Sequence, residues 1–383
     1  QLHHVGAVRV LQSKSCVLPW VGQCIQNPGK VTPCCRFVNA GHTMGWVTVG
    51  GTGKKLSEYH HRMPQRHFMQ DRYPDHCIKC KIEDEQGVKS MRQQFNEIYD
   101  DVDTSKMAKM PPRYIEISFG NICNLACRMC NSNDSTRWQG VDRFIYNETK
   151  IKRDSWPEWR LEIDAIDIDL SEVDRLKFMG GEPLLHPNHE EFLDKLVAEN
   201  IYSGRVTARY HTNGTQRPTD RVLEIWEQLG TVEIAFSIDG VDKMNDYIRP
   251  PSQWREIEET VQWFKDLNMP NVSLHVHSCY SMLNVLDIEN LWNWVKDNGI
   301  RIWNRDIVRD PEHLFLGNAP LDYKQRTKAF LQSIPVDTRM LEVCCDHVQN
   351  PDHWINFKKI NKTVDKYWNN SLKYTNEELW SMT

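Results

Sequence analysis

Cys123, Cys127 and Cys130 lie within eight residues in "CNLACRMC" (123–130), and Asn121 and Asn124 bracket the first of them. Three thiolates at that spacing can fill three corners of a metal site. A structural zinc site takes four protein ligands, so His211 or another distant residue would have to supply the fourth. An iron–sulfur cube held by only three cysteines keeps one iron open to a small molecule, which suits reactivity rather than structure. "FMGGEPLL" (178–185) adds two glycines and a carboxylate. Gly180 and Gly181 permit close backbone approach, and Glu182 can accept from an ammonium group. More cysteines cluster upstream: Cys77 and Cys80 form a CxxC, and Cys34 and Cys35 are adjacent. "QLHHVGAVRV" at the start is too poor in apolar residues for a signal-peptide core, so a cytoplasmic setting is expected. In that setting most of the 12 cysteines should be metal ligands or catalytic thiols rather than disulfides.

Parts of the chain must position these groups. Residues 1–100 read as a Cys-rich, loop-rich module with Gly and Pro punctuation such as "VTPCC" and "VGGTGKK" and two short strands around Gly29. Such a module has little core of its own, and metal would help hold it together. Residues 101–112 look like a linker. Residues 113–315 alternate strands and helices. The predicted strands are 114–119, 175–180, 205–211, 231–238, 271–278 and 300–308. Between them run amphipathic segments, one of which (252–268) carries Ile257, Val261 and Phe264 on one stripe, with Ser252 as its N-cap. A second helix is expected to start on a capping box of Asn188 and Glu191. Six βα repeats predict an α/β fold, a partial (β/α)6 barrel with a parallel sheet. Residues 316–383 read as a mixed, helical extension.

Strand parity predicts a polar lumen. Ile115 and Ile117 alternate with Glu116 and Ser118. Ile234 and Phe236 alternate with Glu233, Ser237 and Asp239, and Val272, Leu274 and Val276 alternate with Ser273, His275 and His277. Helices need the apolar face, so the polar set should point inward. A hydrophobic share of 40% provides for a core, and no run of about 18 apolar residues marks a membrane span. A net charge of −5 argues against non-specific nucleic-acid binding.

With CxxxCxxC one βα unit before GGEP, residues 113–315 resemble the radical S-adenosylmethionine (SAM) enzymes. The resemblance implies that Cys123, Cys127 and Cys130 bind a [4Fe–4S] cluster whose fourth iron is chelated by SAM. It implies that Gly180, Gly181 and Glu182 receive the methionine amino group. It further implies that Asn213 in "HTNGT" and Ser237 in "FSIDG" touch SAM, and that Arg249 in "YIRP" meets the SAM carboxylate. Met129 stands where the family often has an aromatic residue. His275, His277 and Asp239 are the lumen candidates for proton transfer. An electron donor such as flavodoxin or ferredoxin is also implied.

Upstream, Cys16, Gly29, Cys34 and the later "HCIKC" resemble the SPASM/twitch auxiliary-cluster modules. The likeness implies that Cys16, Cys34, Cys77 and Cys80 hold an auxiliary iron–sulfur cluster, with Cys35 as an alternative to Cys34 and a zinc ribbon as the competing use. Cys24, Cys279, Cys344 and Cys345 are expected to be buried thiols, with "VCCDH" (343–347) as a thiol donor at the barrel mouth the lesser alternative. The expected activity is reductive cleavage of SAM and hydrogen abstraction, an oxidoreductase-type modification of a peptide or protein. A sugar- or nucleotide-sized polar substrate is the alternative. A non-catalytic, zinc-stabilised binding protein is the reading from another class.

Overall fold

Eight strands join in one sheet, in the order β2-β1-β3-β4-β5-β6-β7-β8. The computed structural model describes residues 14–26, 29–37, 59–163 and 168–383, and at 59–61 and 303–305 the backbone alone. "VGGTGKK" lies outside the described residues. The strands are β1 (Gly22–Gln26), β2 (Lys30–Thr32), β3 (Tyr114–Ser118), β4 (Arg175–Met179), β5 (Thr207–Thr212), β6 (Thr231–Ser237), β7 (Val272–Tyr280) and β8 (Arg301–Ile307). From β3 to β8 every pairing is parallel, with helices in the crossovers. The result is the expected partial (β/α)6 barrel.

Parity sorts the two faces as anticipated. Ile117, Phe178, Tyr210, Ile234 and Val276 join the main core under the helices. The opposite face carries one register row of charge, Glu116↔Lys177↔Arg209↔Glu233. Lys177 meets Glu116 at 2.7 Å, and Arg209 meets Glu233 at 2.8 Å. Glu116 is fully buried, so its charge is tolerable only because Lys177 and the Tyr114 hydroxyl (3.0 Å) reach it. The helix Trp254–Asp266 buries Trp254, Ile257, Val261 and Phe264, each contributing roughly 1.5–3 kcal/mol on area grounds.

Several local expectations fail for local reasons. Asn188 begins the helix Asn188–Glu199 after Pro187, with no side-chain cap. Its amide bonds the Leu161 carbonyl instead, so the capping box with Glu191 does not form. Ser252 does not cap the next helix: Gln253 takes that position, and the Ser252 hydroxyl turns to Asp246. Cys344 and Cys345, by contrast, are buried thiols as expected, in the main core on the helix Arg339–Cys345.

The N-terminal hairpin forms around Gly29, whose φ of +88° is open to glycine at little cost. Its first strand then pairs parallel with β3, so the hairpin extends the barrel sheet. The C-terminal extension is helical, and its longest helix, Pro351–Trp368, packs on the helix Trp138–Thr149 that follows the cysteine loop. Among the described residues no helix is long and apolar enough to cross a membrane.

Candidate functional site at the C-terminal rim of the barrel

The cysteine loop leaves the end of β3 and is tied down at many points. Asn121 is completely buried; its amide donates to the carbonyls of Ser132 (2.9 Å) and Pro157 (3.0 Å) and accepts from the Trp159 N–H (3.0 Å). Asn124 donates to the Thr215 hydroxyl (2.8 Å) and accepts from the Asn213 amide (2.9 Å). The Ala126 and Arg128 N–H groups donate to the carbonyls of Pro250 (2.6 Å) and Ile248 (2.8 Å), zipping the loop to the segment that carries Arg249. The indole of Trp138 holds the Cys127 carbonyl at 2.9 Å, and Arg153 holds that of Cys130 at 3.2 Å.

The three sulfurs share one cradle. Burial, then the neighbouring Cys127, pushes the Cys123 thiol up to about 12. Cys130 donates to Cys127, which draws the Cys127 thiol down and drives Cys130 up, with Arg249 also favouring the Cys127 thiolate. Polar hydrogens face the sulfurs: Leu125 N–H to Cys123 at 3.5 Å, the Asn213 amide to Cys123 at 3.8 Å and Arg249 Nη1 to Cys127 at 3.5 Å.

Glu182 comes to the same rim from the end of β4. It is 1% exposed, yet its carboxylate accepts from Asn213 N–H (2.7 Å), the Thr212 hydroxyl (2.9 Å) and Leu184 N–H (3.2 Å). Burial outweighs those bonds and raises its pKa to about 7. Gly181 has φ +57°, and a Cβ there would sit 2.3 Å from the Ile122 carbonyl oxygen, so only glycine lets the GGE turn lie against the cysteine loop. Gly180 has φ +76°.

Asp239, Ser237, His277 and His275 line successive levels below the rim. Ser237 is opposite His277 in register. His277 meets Asp306 at 3.1 Å and lies edge-on to His211, 4.9 Å between centroids. His275 contacts the Ser273 hydroxyl at 3.1 Å. Asp239 is wholly buried, held by the Cys279 N–H at 2.7 Å and by Arg249. A separate surface cavity of about 570 Å³, between the segment after β8 and the helix Pro351–Trp368, is lined by Arg309, Asp310, His313, His353 and Asn356 and by none of these site residues.

Cys16, Cys34 and the Cys77–Cys80 pair, drawn from three separate segments, also converge. Cys34 feels the thiols of Cys16, Cys77 and Cys80 as well as Cys35, and Cys77 feels Cys16 and Cys80. Cys35 points elsewhere, toward Glu116 and Lys177 in the lumen, where burial pushes its thiol up to about 12. Arg36–Glu83 (2.7 Å) and Arg92–Asp84 (2.8 Å) brace this corner.

Sequence reasoning missed Arg128, the residue after Cys127. It is 3% exposed and runs backward into the C-terminal helix, bonding Asn361 (2.8 Å), Asp365 (2.5 Å) and the Tyr247 carbonyl (2.7 Å). Its one visible signal was a charged residue between two metal-type cysteines.

The donor set suits a cluster with an open corner. Buried thiols crowded together are costly to ionise one by one, and a polynuclear cation relieves that cost. Among the described residues no three His, Cys, Asp or Glu side chains are arranged to hold a single metal ion.

The Radical SAM superfamily profile matches residues 117–296, from β3 through the helix that follows β7. This chain carries a radical SAM domain. Such domains work with a [4Fe–4S] cluster and SAM. An uncharacterized protein of Methanocaldococcus jannaschii is 22% identical over 209 residues, which is 53% of this chain and 66% of that protein. Native anSMEcpe with bound AdoMet superposes with a TM-score of 0.43 and 16% identity over 62% of this chain and 63% of that one. Streptococcus suis SuiB bound to precursor peptide SuiA gives 0.37 and 12% over 70% and 61%. The chain spans less than two thirds of each of these three proteins. The cysteine loop, the GGE turn, Asn213, Ser237 and Arg249 all fall inside the radical SAM domain, while Cys16, Cys34, Cys77 and Cys80 precede it.

Proposed function

We propose that this protein is a radical SAM enzyme that modifies a peptide or protein, with an auxiliary iron–sulfur cluster on Cys16, Cys34, Cys77 and Cys80. The observation that carries the reading is the meeting of Cys123, Cys127 and Cys130 with Glu182, Asn213 and Arg249 on one rim. A [4Fe–4S] cluster and SAM, when bound, supply an electron and a 5′-deoxyadenosyl radical that takes hydrogen from the substrate. Cys123, Cys127 and Cys130 hold the cluster. Glu182, fixed by its three donors, would accept from the amino N–H of SAM; Gly180 and Gly181 bring the backbone close enough to help. Arg249 faces the carboxylate, and Asn213 and Ser237 orient the rest. His275 and His277 project into the polar lumen, where a substrate group beside the radical would meet them.

Anaerobic reconstitution with iron and sulfide, followed by SAM and dithionite, tests the whole reading through release of 5′-deoxyadenosine. A preparation that takes up zinc, stays colourless and releases none would refute it. The auxiliary site has its own readout: Cys77→Ala should lose roughly half of the bound iron, as expected for one of two cubes, while still cleaving SAM. Unchanged iron content would remove the auxiliary cluster from the proposal.

Glu182 makes SAM binding pH-dependent. Its folded-state pKa of about 7 exceeds the ordinary 4.5, so without ligand its ionisation lowers stability as pH rises from 4.5 through 7. The ionised carboxylate is the stronger acceptor for the amino N–H of SAM. SAM affinity should therefore weaken as pH falls below that value. Calorimetric titrations of SAM on both sides of neutrality measure the slope, and Glu182→Gln should bind weakly with no slope. A wild-type affinity independent of pH would contradict the assignment of Glu182.

A further inference from the structure

Asp239, one of the expected lumen groups, is enclosed by a β7 backbone donor and by Arg249. It lies two residues beyond β6 with no exposed surface. One oxygen accepts the Cys279 N–H at 2.7 Å, and its own carbonyl accepts from the Asn284 amide at 2.8 Å. The other oxygen is 2.7 Å from Arg249 Nη2, a close ion pair set off the hydrogen-bond axis. Arg249 is itself 7% exposed and turns Nη1 to the Cys127 sulfur at 3.5 Å. Its Nε has no hydrogen-bond partner. Burial works against the guanidinium, but Asp239 and then Cys127 hold it charged. One planar group thus touches a carboxylate fixed to the sheet and a cluster-loop sulfur, with one donor still unspent.

We propose that Asp239 is a positioning residue that locks Arg249 onto the Cys127 sulfur and thereby raises the reduction potential of the cluster held there. The inference rests on the reading of Cys127 as a cluster ligand. Hydrogen bonds and positive charge at a ligand sulfur stabilise the more negative, reduced cluster, so removing them moves the potential downward. The fixed fork geometry of arginine explains why this residue type is needed. A lysine has one compact charge and cannot span both partners.

A signed comparison separates positioning from simple charge. In reconstituted full-length protein, the midpoint potential is read by the electron paramagnetic resonance signal of the reduced cluster bound by the three-cysteine loop, in a Cys77→Ala background. Arg249→Gln should shift it negative, and Arg249→Lys should shift it in the same direction by less. Asp239→Asn removes a negative charge, which by itself moves the potential up. If Asp239 positions Arg249, Asp239→Asn shifts it down instead, and adding Asp239→Asn to Arg249→Gln reverses the sign to a small upward shift. An upward shift in both backgrounds, or no effect of either arginine substitution, overturns the proposal. Circular dichroism of each variant identifies any that do not fold, and for the arginine the lysine variant then carries the comparison. Persistence of the signal in Cys127→Ser would be a different failure, that of the ligand assignment on which the inference stands.

Discussion

Cys127→Ser should reduce 5′-deoxyadenosine release to background and strip the visible colour of the loop-bound cluster, while urea denaturation shows the barrel still folded. Cys127 is the most enclosed of the three loop thiols, at 5% exposure. It alone of the three is drawn toward the thiolate, by the Cys130 hydrogen bond and by Arg249. A serine hydroxyl keeps the shape but does not ionise near neutral pH, and metal ligation needs the anion. With only three cysteines in the loop, no spare donor takes its place: Cys279, also influenced by Cys127, is held on β7 by its N–H bond to Asp239. The loop backbone would remain anchored, because Asn121, Trp138 and the Pro250 carbonyl bind main-chain atoms rather than sulfur. The loss should therefore be chemical and nearly complete. Appreciable 5′-deoxyadenosine from Cys127→Ser would place the cluster elsewhere.

The second large effect is structural. Arg128→Met should destabilise the protein by about 3–5 kcal/mol, since it breaks a buried ion pair and strands the other partner. The guanidinium sits 3.7 Å from the Tyr247 ring centroid and spends its donors on Asn361, Asp365 and the Tyr247 carbonyl. Asn361 continues the network to the Tyr247 hydroxyl at 2.7 Å. A thioether fills part of the volume but leaves the Asp365 carboxylate, 15% exposed, without its cation. Arg128→Lys should recover little, because a single ammonium cannot reach three acceptors in a plane. Urea midpoints measure the loss, and iron uptake should fall in parallel, since Arg128 lies between two of the loop cysteines. A change below about 1 kcal/mol would show that the C-terminal helix does not brace the loop through this contact.

Much of the barrel was legible because its rules are local. Alternation in 114–119 and 231–238 named the lumen residues correctly, since a strand's side chains must switch faces at every step. The apolar stripe of Ile257, Val261 and Phe264 found its buried face for the corresponding helical reason. Caps were read less well. Asn188 had a better acceptor in Leu161, a residue 27 positions away whose approach no local spacing announces. The hairpin around Gly29 was visible, but its parallel pairing with β3 was not, because that depends on where residues 59–113 return the chain.

By itself the sequence determined the chemistry on offer: three thiols in one turn of loop, a glycine-glycine-glutamate at the next strand end, and a polar inner face. Those are properties of spacing and side-chain type over a few residues, where covalent geometry leaves little freedom. Tertiary structure alone decided that Arg128 is clasped by a helix 233 residues further along, and that Arg249 bridges Asp239 to Cys127. Such pairings arise when register and crossover bring distant segments within about 3 Å, the range over which hydrogen bonds act. Their partners are chosen by the fold's three-dimensional packing, and no periodicity along the chain encodes them.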